Sequence, residues 1–153
     1  MKHEDAMRVA IREANEALAH GDIPVGAVVV CDGEIIACAH NQREELCDPT
    51  AHAEVLAMRR AAMKLGRRRL HGCRLYVTLE PCPMCAGAIV MSEPDEVVFG
   101  AYDRAAGCAG SVYSLPEDPV FMHAVACTGG LLEKECTDII SGFFEKRRRD
   151  ECL

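Results

Sequence analysis

No stretch of this sequence is apolar enough to cross a membrane as a helix. The longest apolar runs, Val25–Cys31 and Cys85–Met91, span seven residues with a Gly inside each, against the ~20 that a spanning helix needs. There is no export signal either: Met1 to Arg12 mixes Lys2, Glu4, Asp5 and Arg8 with apolar residues instead of a basic head and an unbroken apolar core. The expectation is a cytoplasmic protein with no membrane segment. Internal repeats, low-complexity tracts and linkers are also missing, so residues 1–153 read as one domain. Half the residues are hydrophobic, enough for a chain of this size to bury about 70% of its unfolded surface without staples.

Positive charge is scarce over nearly half of the chain. Residues 71–142 hold three basic and ten acidic side chains, and the whole chain carries a net charge of −7, which disfavours indiscriminate nucleic-acid binding. Two basic clusters remain: Arg59, Arg60, Lys64, Arg67, Arg68 and Arg69, then Lys146, Arg147, Arg148 and Arg149. Each reads either as a solvated helix end, since cations suit helix C-termini, or as a surface for a polyanion.

Cysteine, by contrast, is plentiful at ten. Without an export signal the reducing cytosol argues against disulfides. Most of these residues, Cys38 and Cys127 among them, read as small buried hydrophobes. Only Cys82 and Cys85 are closely spaced.

Periodicity sets out an alternation of helices and strands. Met7, Ala10, Ile11, Ala14 and Leu18 share a helical face in 5–19, which Gly21 ends. Pro24–Val30 and Glu34–Ala39 flank Asp32-Gly33, a strong hairpin signal. A polar loop over 43–49 precedes a helix over about 50–65, with Val55, Met58, Ala62 and Leu65 inward. Leu75–Leu79 is a strand, Pro83 opens a helix to about Met91, and Val97–Phe99 is a further strand. The stretch 100–111 reads as a glycine-rich loop, 112–116 as a short helix, Val125–Cys127 as a weak strand and 131–149 as a closing helix. The class is α/β, a sheet between helices, antiparallel in the hairpin and open to parallel pairing later.

Chemistry gathers in His52-Ala53-Glu54 and Pro81-Cys82-Pro83-Met84-Cys85, with Asn41 shortly before. Zinc takes one imidazole and two thiolates. Cys82 and Cys85 stand at a helix start, where the dipole and unpaired N–H groups favour thiolate. If the two helices pack on one side of the sheet, His52 joins them. Three ligands leave one position open for water, the mark of a catalytic site, whereas a structural site would recruit a fourth. No second Cys-x-x-Cys and no His-x₃₋₅-His pair exists to complete a structural site, though other Cys and His residues keep that reading open. Glu54 lies too close in sequence to His52 to be a comfortable ligand. It suits an acid–base group beside a metal that brings the pKa of water towards ~7. His-x-Glu followed by Pro-Cys-x-x-Cys is the known signature of zinc deaminases acting on nucleobases.

Beyond that signature the chain resembles the bacterial tRNA-specific adenosine deaminases. The likeness rests on Asp48-Pro49-Thr50-Ala51-His52-Ala53-Glu54, on Leu75–Ala88, on Val97-Val98-Phe99-Gly100-Ala101 with Asp103, and on the closing Phe143-Phe144 pair before the basic residues. It departs at Met122-His123-Ala124, where Asn-His-Arg is common. The resemblance implies a cytidine-deaminase-like, three-layer α/β/α fold with a mixed five-stranded sheet. It also implies one zinc held by His52, Cys82 and Cys85, Glu54 as proton shuttle, and a homodimer. Asn41 would hydrogen-bond a flipped base beside Val25, Leu79 and the backbone of Ala53, and Asp103 would touch the ribose-phosphate. The implied reaction is adenosine to inosine at the wobble position of a tRNA anticodon stem-loop, with Lys146, Arg147, Arg148 and Arg149 as RNA contacts. The alternatives are a free-base or nucleoside deaminase for guanine, cytosine or cytidine, and a non-catalytic zinc scaffold, which would have no use for Glu54.

Overall fold

The computed structural model describes residues 1–152. Its elements are α1 (His3–Ala19), β1 (Gly26–Cys31), β2 (Glu34–His40), α2 (Arg43–Leu46), α3 (Ala53–Leu65), β3 (Cys73–Leu79), α4 (Pro83–Ser92), β4 (Glu96–Ala101), β5 (Ala126–Thr128) and α5 (Glu133–Glu151). The strands form one sheet in the order β2-β1-β3-β4-β5. β1 pairs antiparallel with both β2 and β3, while β3–β4 and β4–β5 are parallel. The mixed five-stranded sheet of the expected class is therefore present. The hairpin closes through Asp32 and Gly33, both at positive φ (50° and 77°), the primed turn that matches strand twist.

Period-two alternation sends successive residues to opposite faces. Ala27, Val29, Leu75, Val77, Val97 and Phe99 pack with α3 and α4 residues such as Leu56, Ala57 and Ile89. Val28, Val30, Tyr76 and Val98 pack on the other face with Ala6, Met7 and Ala10 of α1 and Cys136 of α5. The result is three layers, α/β/α. Gly26 lets α1 cross directly on β1, because a Cβ there would overlap the Ala10 carbonyl oxygen.

Several local expectations need correction. The α1 face is Ala6, Met7, Ala10, Ala14 and Ala17, with Leu18 exposed; small residues allow the close approach that Leu18 would block. Part of the 43–49 loop is helix α2. Asp48 accepts the Thr50 N–H and hydroxyl, holding 48–52 in a turn, so α3 starts at Ala53 rather than Thr50. Its inward face is Ala53, Glu54, Leu56, Ala57, Met58 and Ala61, while Val55, Ala62 and Leu65 are half-buried. No helix forms at 112–116, where turns and an Ala109–Ser114 bridge stand instead. Cys38 and Cys127 are only half-buried, and Cys47 and Cys152 are exposed.

Candidate active site

The site forms where α3 and α4 start, on the same side of the sheet. His52 precedes α3 in extended conformation (φ −77°, ψ 149°). Cys82 holds the same place before α4, with Pro83 in the first turn. Helix starts leave backbone N–H groups unpaired, and at α3 the repair comes from outside the helix. Asn41 Oδ1 accepts the Ala53 N–H at 2.8 Å, and its Nδ2 donates to the Ile23 carbonyl at 3.0 Å. Asn41 thus ties the end of β2 to the start of α3 and fixes the segment carrying His52 and Glu54. One N–H and one lone pair of its amide stay outside these two bonds.

His52 Nδ1 lies 3.7 Å from Cys82 Sγ and 3.4 Å from Cys85 Sγ. With Zn–S near 2.3 Å and Zn–N near 2.0 Å, tetrahedral zinc places its N and S donors about 3.5 Å apart. The donor set and the spacing fit zinc, and the three residues can hold one metal ion. The sulfurs are electrostatically unequal. Hydrogen bonding from the Cys85 thiol, and then from His52, draws Cys82 down to about 4. Cys85, whose thiol faces that sulfur and is buried, is pushed far up. His52 is raised, chiefly by its hydrogen bond to Cys82. One Cys proton must leave when both sulfurs ligate a cation.

Glu54, buried beside the triangle, has its carboxyl raised by desolvation, against a hydrogen bond with Cys85. In front lies a cavity of about 160 Å³ lined by Val25, Asn41, His52, Glu54, Leu79, Cys82 and Asp103 together with Ile23, Arg43 and Glu80. It is small beside the roughly 300–1,000 Å³ of drug-sized sites, which suits a flat ring. Ala53, between His52 and Glu54 in sequence, is fully buried and does not line the cavity, and its N–H is already taken by Asn41. Cys85 lies fully buried behind it.

Three lining residues escaped sequence reasoning. Glu80 is 2% exposed and organises the loop after β4. It accepts the N–H groups of Asp103 (3.1 Å), Ala109 (3.1 Å) and Ser111 (2.9 Å), and the Ser111 hydroxyl. Gly107 packs on that carboxylate so closely that a Cβ would overlap it. Asp103 itself caps the Ala105 and Ala106 N–H groups through Oδ1 while lining the cavity. Arg43 reaches the mouth held by Asp22, at 3.0 Å, and Ile23 adds an apolar wall. The signal for Glu80 was its place immediately before Pro81-Cys82; Asp22 and Arg43 gave none.

The basic tail divides in two. Lys146 and Arg147 line a groove of about 570 Å³ with Phe143 and with Ile23 and Arg43, which also line the catalytic cavity. Arg148 and Arg149 line a different concavity with Glu145 and Cys152. Phe144 is 38% exposed and lines a third groove with Tyr102 and Arg104, whose guanidinium carbon stands 5.7 Å from the Tyr102 ring centre. An adjacent aromatic pair at the end of a helix suggests an anchor to the core, but Phe144 is exposed and α5 is anchored instead by Cys136, its buried residue. The other basic cluster is split: Arg59, Arg60 and Lys64 lie on α3, where Arg60 donates to the Cys38 carbonyl and Gln42 Oε1, and Arg67, Arg68 and Arg69 come after its 13 residues, ~20 Å from its start. Arg67 there binds the Arg69 and His71 carbonyls.

Residues 1–101 match the family described as the cytidine and deoxycytidylate deaminase zinc-binding region. The tRNA-specific adenosine deaminase of Bacillus subtilis is 49% identical over 143 residues, 94% of this chain and 89% of that one. A structure from a study of A-to-I editing by tRNA:A34 deaminases at the wobble position of transfer RNA superposes with a TM-score of 0.85 at 41% identity, over 88% of this chain and 98% of that one. Guanine deaminase from Bacillus subtilis superposes over less, 67% of this chain and 66% of its own, with a TM-score of 0.64 at 46% identity. With a zinc-type donor triangle, a buried glutamate and near-complete coverage by such relatives, the chain belongs to the cytidine and deoxycytidylate deaminase family, in the branch of the tRNA-specific adenosine deaminases.

Proposed function

We propose that this chain hydrolyses adenosine to inosine at the wobble position of a tRNA anticodon loop, with water consumed and ammonia released. It works in the cytoplasm as one deaminase domain, residues 1–153, with one zinc per protomer. The observation that carries the reading is the His52–Cys82–Cys85 triangle at zinc spacing with Glu54 buried beside it and a ring-sized cavity in front.

In this reading His52, Cys82 and Cys85 hold the metal, which when bound makes water acidic enough to react near neutral pH. Glu54 moves the protons. Burial raises its carboxyl towards the range where a group can both take and give a proton. It accepts a proton from the attacking water and passes it to the ring nitrogen, then takes the second proton from the new C6 hydroxyl and delivers it to the departing amine, which leaves as ammonia. Val25 and Leu79 flank the base with apolar surface, and the remaining polar capacity of Asn41 fixes its edge. Asp103 and Arg43 stand at the mouth, where ribose and phosphate would lie. Extruding a base costs a few kcal/mol, least where it is already single-stranded, as in an anticodon loop. The grooves on either side would take the flanking nucleotides, with Lys146, Arg147 and Arg43 supplying charge. Met84, Gly87 and Met91 follow one another along α4 with Met84 and Met91 exposed, an apolar stripe suited to a second copy in a homodimer.

The test is to incubate the zinc-loaded protein with an adenosine-containing anticodon stem-loop, and separately with guanine and with cytidine, and to assay ammonia. Inosine in the stem-loop and no release from free guanine is the expected result. Robust guanine turnover without inosine would move the chain to the rival chemistry that the partial likeness to guanine deaminase favours.

A further inference from the structure

A second cluster of metal-type donors lies at the far end of α4, a helix of ten residues and so ~15 Å long. Glu93 ends that helix at positive φ (53°), and its side chain is only 22% exposed. Its Oε2 meets His71 Nε2 at 2.8 Å and Arg69 Nε at 3.0 Å. His123, from the loop before β5, brings its ring to 5.2 Å from that of His71, tilted by 32°. One ligand atom from each of His71, Glu93 and His123 lies within 4.8 Å of the others. Three separate segments meet here: the turn after α3, the end of α4 and the loop over 111–125. The deaminase chemistry uses none of them.

Ion pairing accounts for one imidazole against Glu93 but not for two. Arg69 already balances the carboxylate, and two protonated rings at this separation would repel. Two neutral imidazoles and one carboxylate are instead a donor set that zinc accepts, with water completing four-coordination. Donors on one zinc stand about 3.3 Å apart, so the side chains need to close by less than 2 Å from their present limit. Arg69, half-exposed, has room to swing aside.

We infer that His71, Glu93 and His123 form a second divalent-metal site of zinc type, distinct from the catalytic one, that ties the 111–125 loop to the end of α4. Exposure and competition from Arg69 make it the weaker of the two. The experiment titrates the zinc-loaded protein with further Zn²⁺ by calorimetry, beside His71→Ala, His123→Ala and His20→Ala. His20 stacks on His40 and faces Glu45, so its variant controls for surface histidines in general. Wild type should take one more zinc per chain. His71→Ala and His123→Ala should each weaken that binding by at least about tenfold, since losing even an outer-shell partner costs 10–100-fold, and His20→Ala should leave it unchanged. Limited proteolysis should show the 111–125 loop protected by zinc in wild type and in His20→Ala, but not in His71→Ala or His123→Ala. A wild type that takes no second zinc, or a second zinc that both variants retain, would overturn the inference and leave a plain ion pair.

Discussion

Replacing Glu80 by Gln is a one-atom change whose cost follows from four hydrogen bonds. Oε1 accepts from the Asp103 N–H and the Ser111 hydroxyl, and Oε2 from the Ala109 and Ser111 N–H groups. An amide NH₂ at the Oε2 position would face two N–H donors, so the amide must turn its nitrogen towards Oε1. There the Ser111 hydroxyl can reverse and accept, but the Asp103 N–H loses its partner. One buried donor is orphaned, at ~1–3 kcal/mol, and the surviving bonds drop from charge-assisted to neutral strength. The sum is about 3 kcal/mol, or roughly 6–12 °C in Tm for a domain of this size. The loop carrying Asp103 can instead open locally without unfolding the sheet, and the loss then falls on substrate binding. Thermal unfolding and steady-state kinetics on the stem-loop read both routes. Either Tm falls or KM rises several-fold, with zinc content unchanged and kcat affected less than KM. A variant with wild-type Tm and wild-type KM would refute the role given to this carboxylate.

Glu54→Ala should keep its fold and zinc yet lose ~10²–10⁴ in turnover, the usual contribution of a placed acid–base group; single-turnover rates that stay above a tenth of wild type would show the proton travels elsewhere. Cys82→Ser combined with Cys85→Ser should abolish the tightly bound zinc, and elemental analysis that still finds one zinc per chain would reject the ligand set. In the tail, Lys146→Ala with Arg147→Ala should raise KM for tRNA and flatten its salt dependence by one or two contacts, each worth a log–log slope of roughly 0.7–0.9. Arg148→Ala with Arg149→Ala, facing another concavity, should do much less, and equal effects would return the tail to a diffuse charge. Asp22 offers a pH test. Burial opposes its ionisation, but hydrogen bonds from the Glu44 N–H, Arg43 and the Ile23 N–H prevail and hold its carboxyl below the usual range. A depressed carboxyl stabilises the fold fully above its unfolded pKa of about 3.9 and loses that contribution as pH falls through the folded value. Asp22→Asn should therefore be less stable than wild type in urea at pH 7, and the gap should shrink below about pH 4; a gap constant from pH 7 to 3 would contradict this.

What the sequence determined by itself is local or periodic. The apolar, β-branched run over 24–30 and the Asp32-Gly33 pair specify a hairpin because strand preference and turn dihedrals are properties of a few adjacent residues. His52-x-Glu54 and Cys82-x-x-Cys85 are legible for the same reason: each motif spans one turn, and zinc constrains the kinds of donor it accepts. Tertiary structure alone decided which other groups serve the site. Glu80 looks like any strand-end glutamate until the loop 23 to 31 residues later wraps its N–H groups around it. Asp22 and Arg43 lie 21 residues apart and meet only because β1 and β2 return the chain to its start. The split of the basic tail is likewise invisible in a run of four cations. Which of them faces the groove beside the cavity depends on the rotation of α5, fixed where Cys136 packs against Gly100. A buried carboxylate or a surface cation takes its role from groups that no sequence period aligns with it, and only the fold supplies those partners.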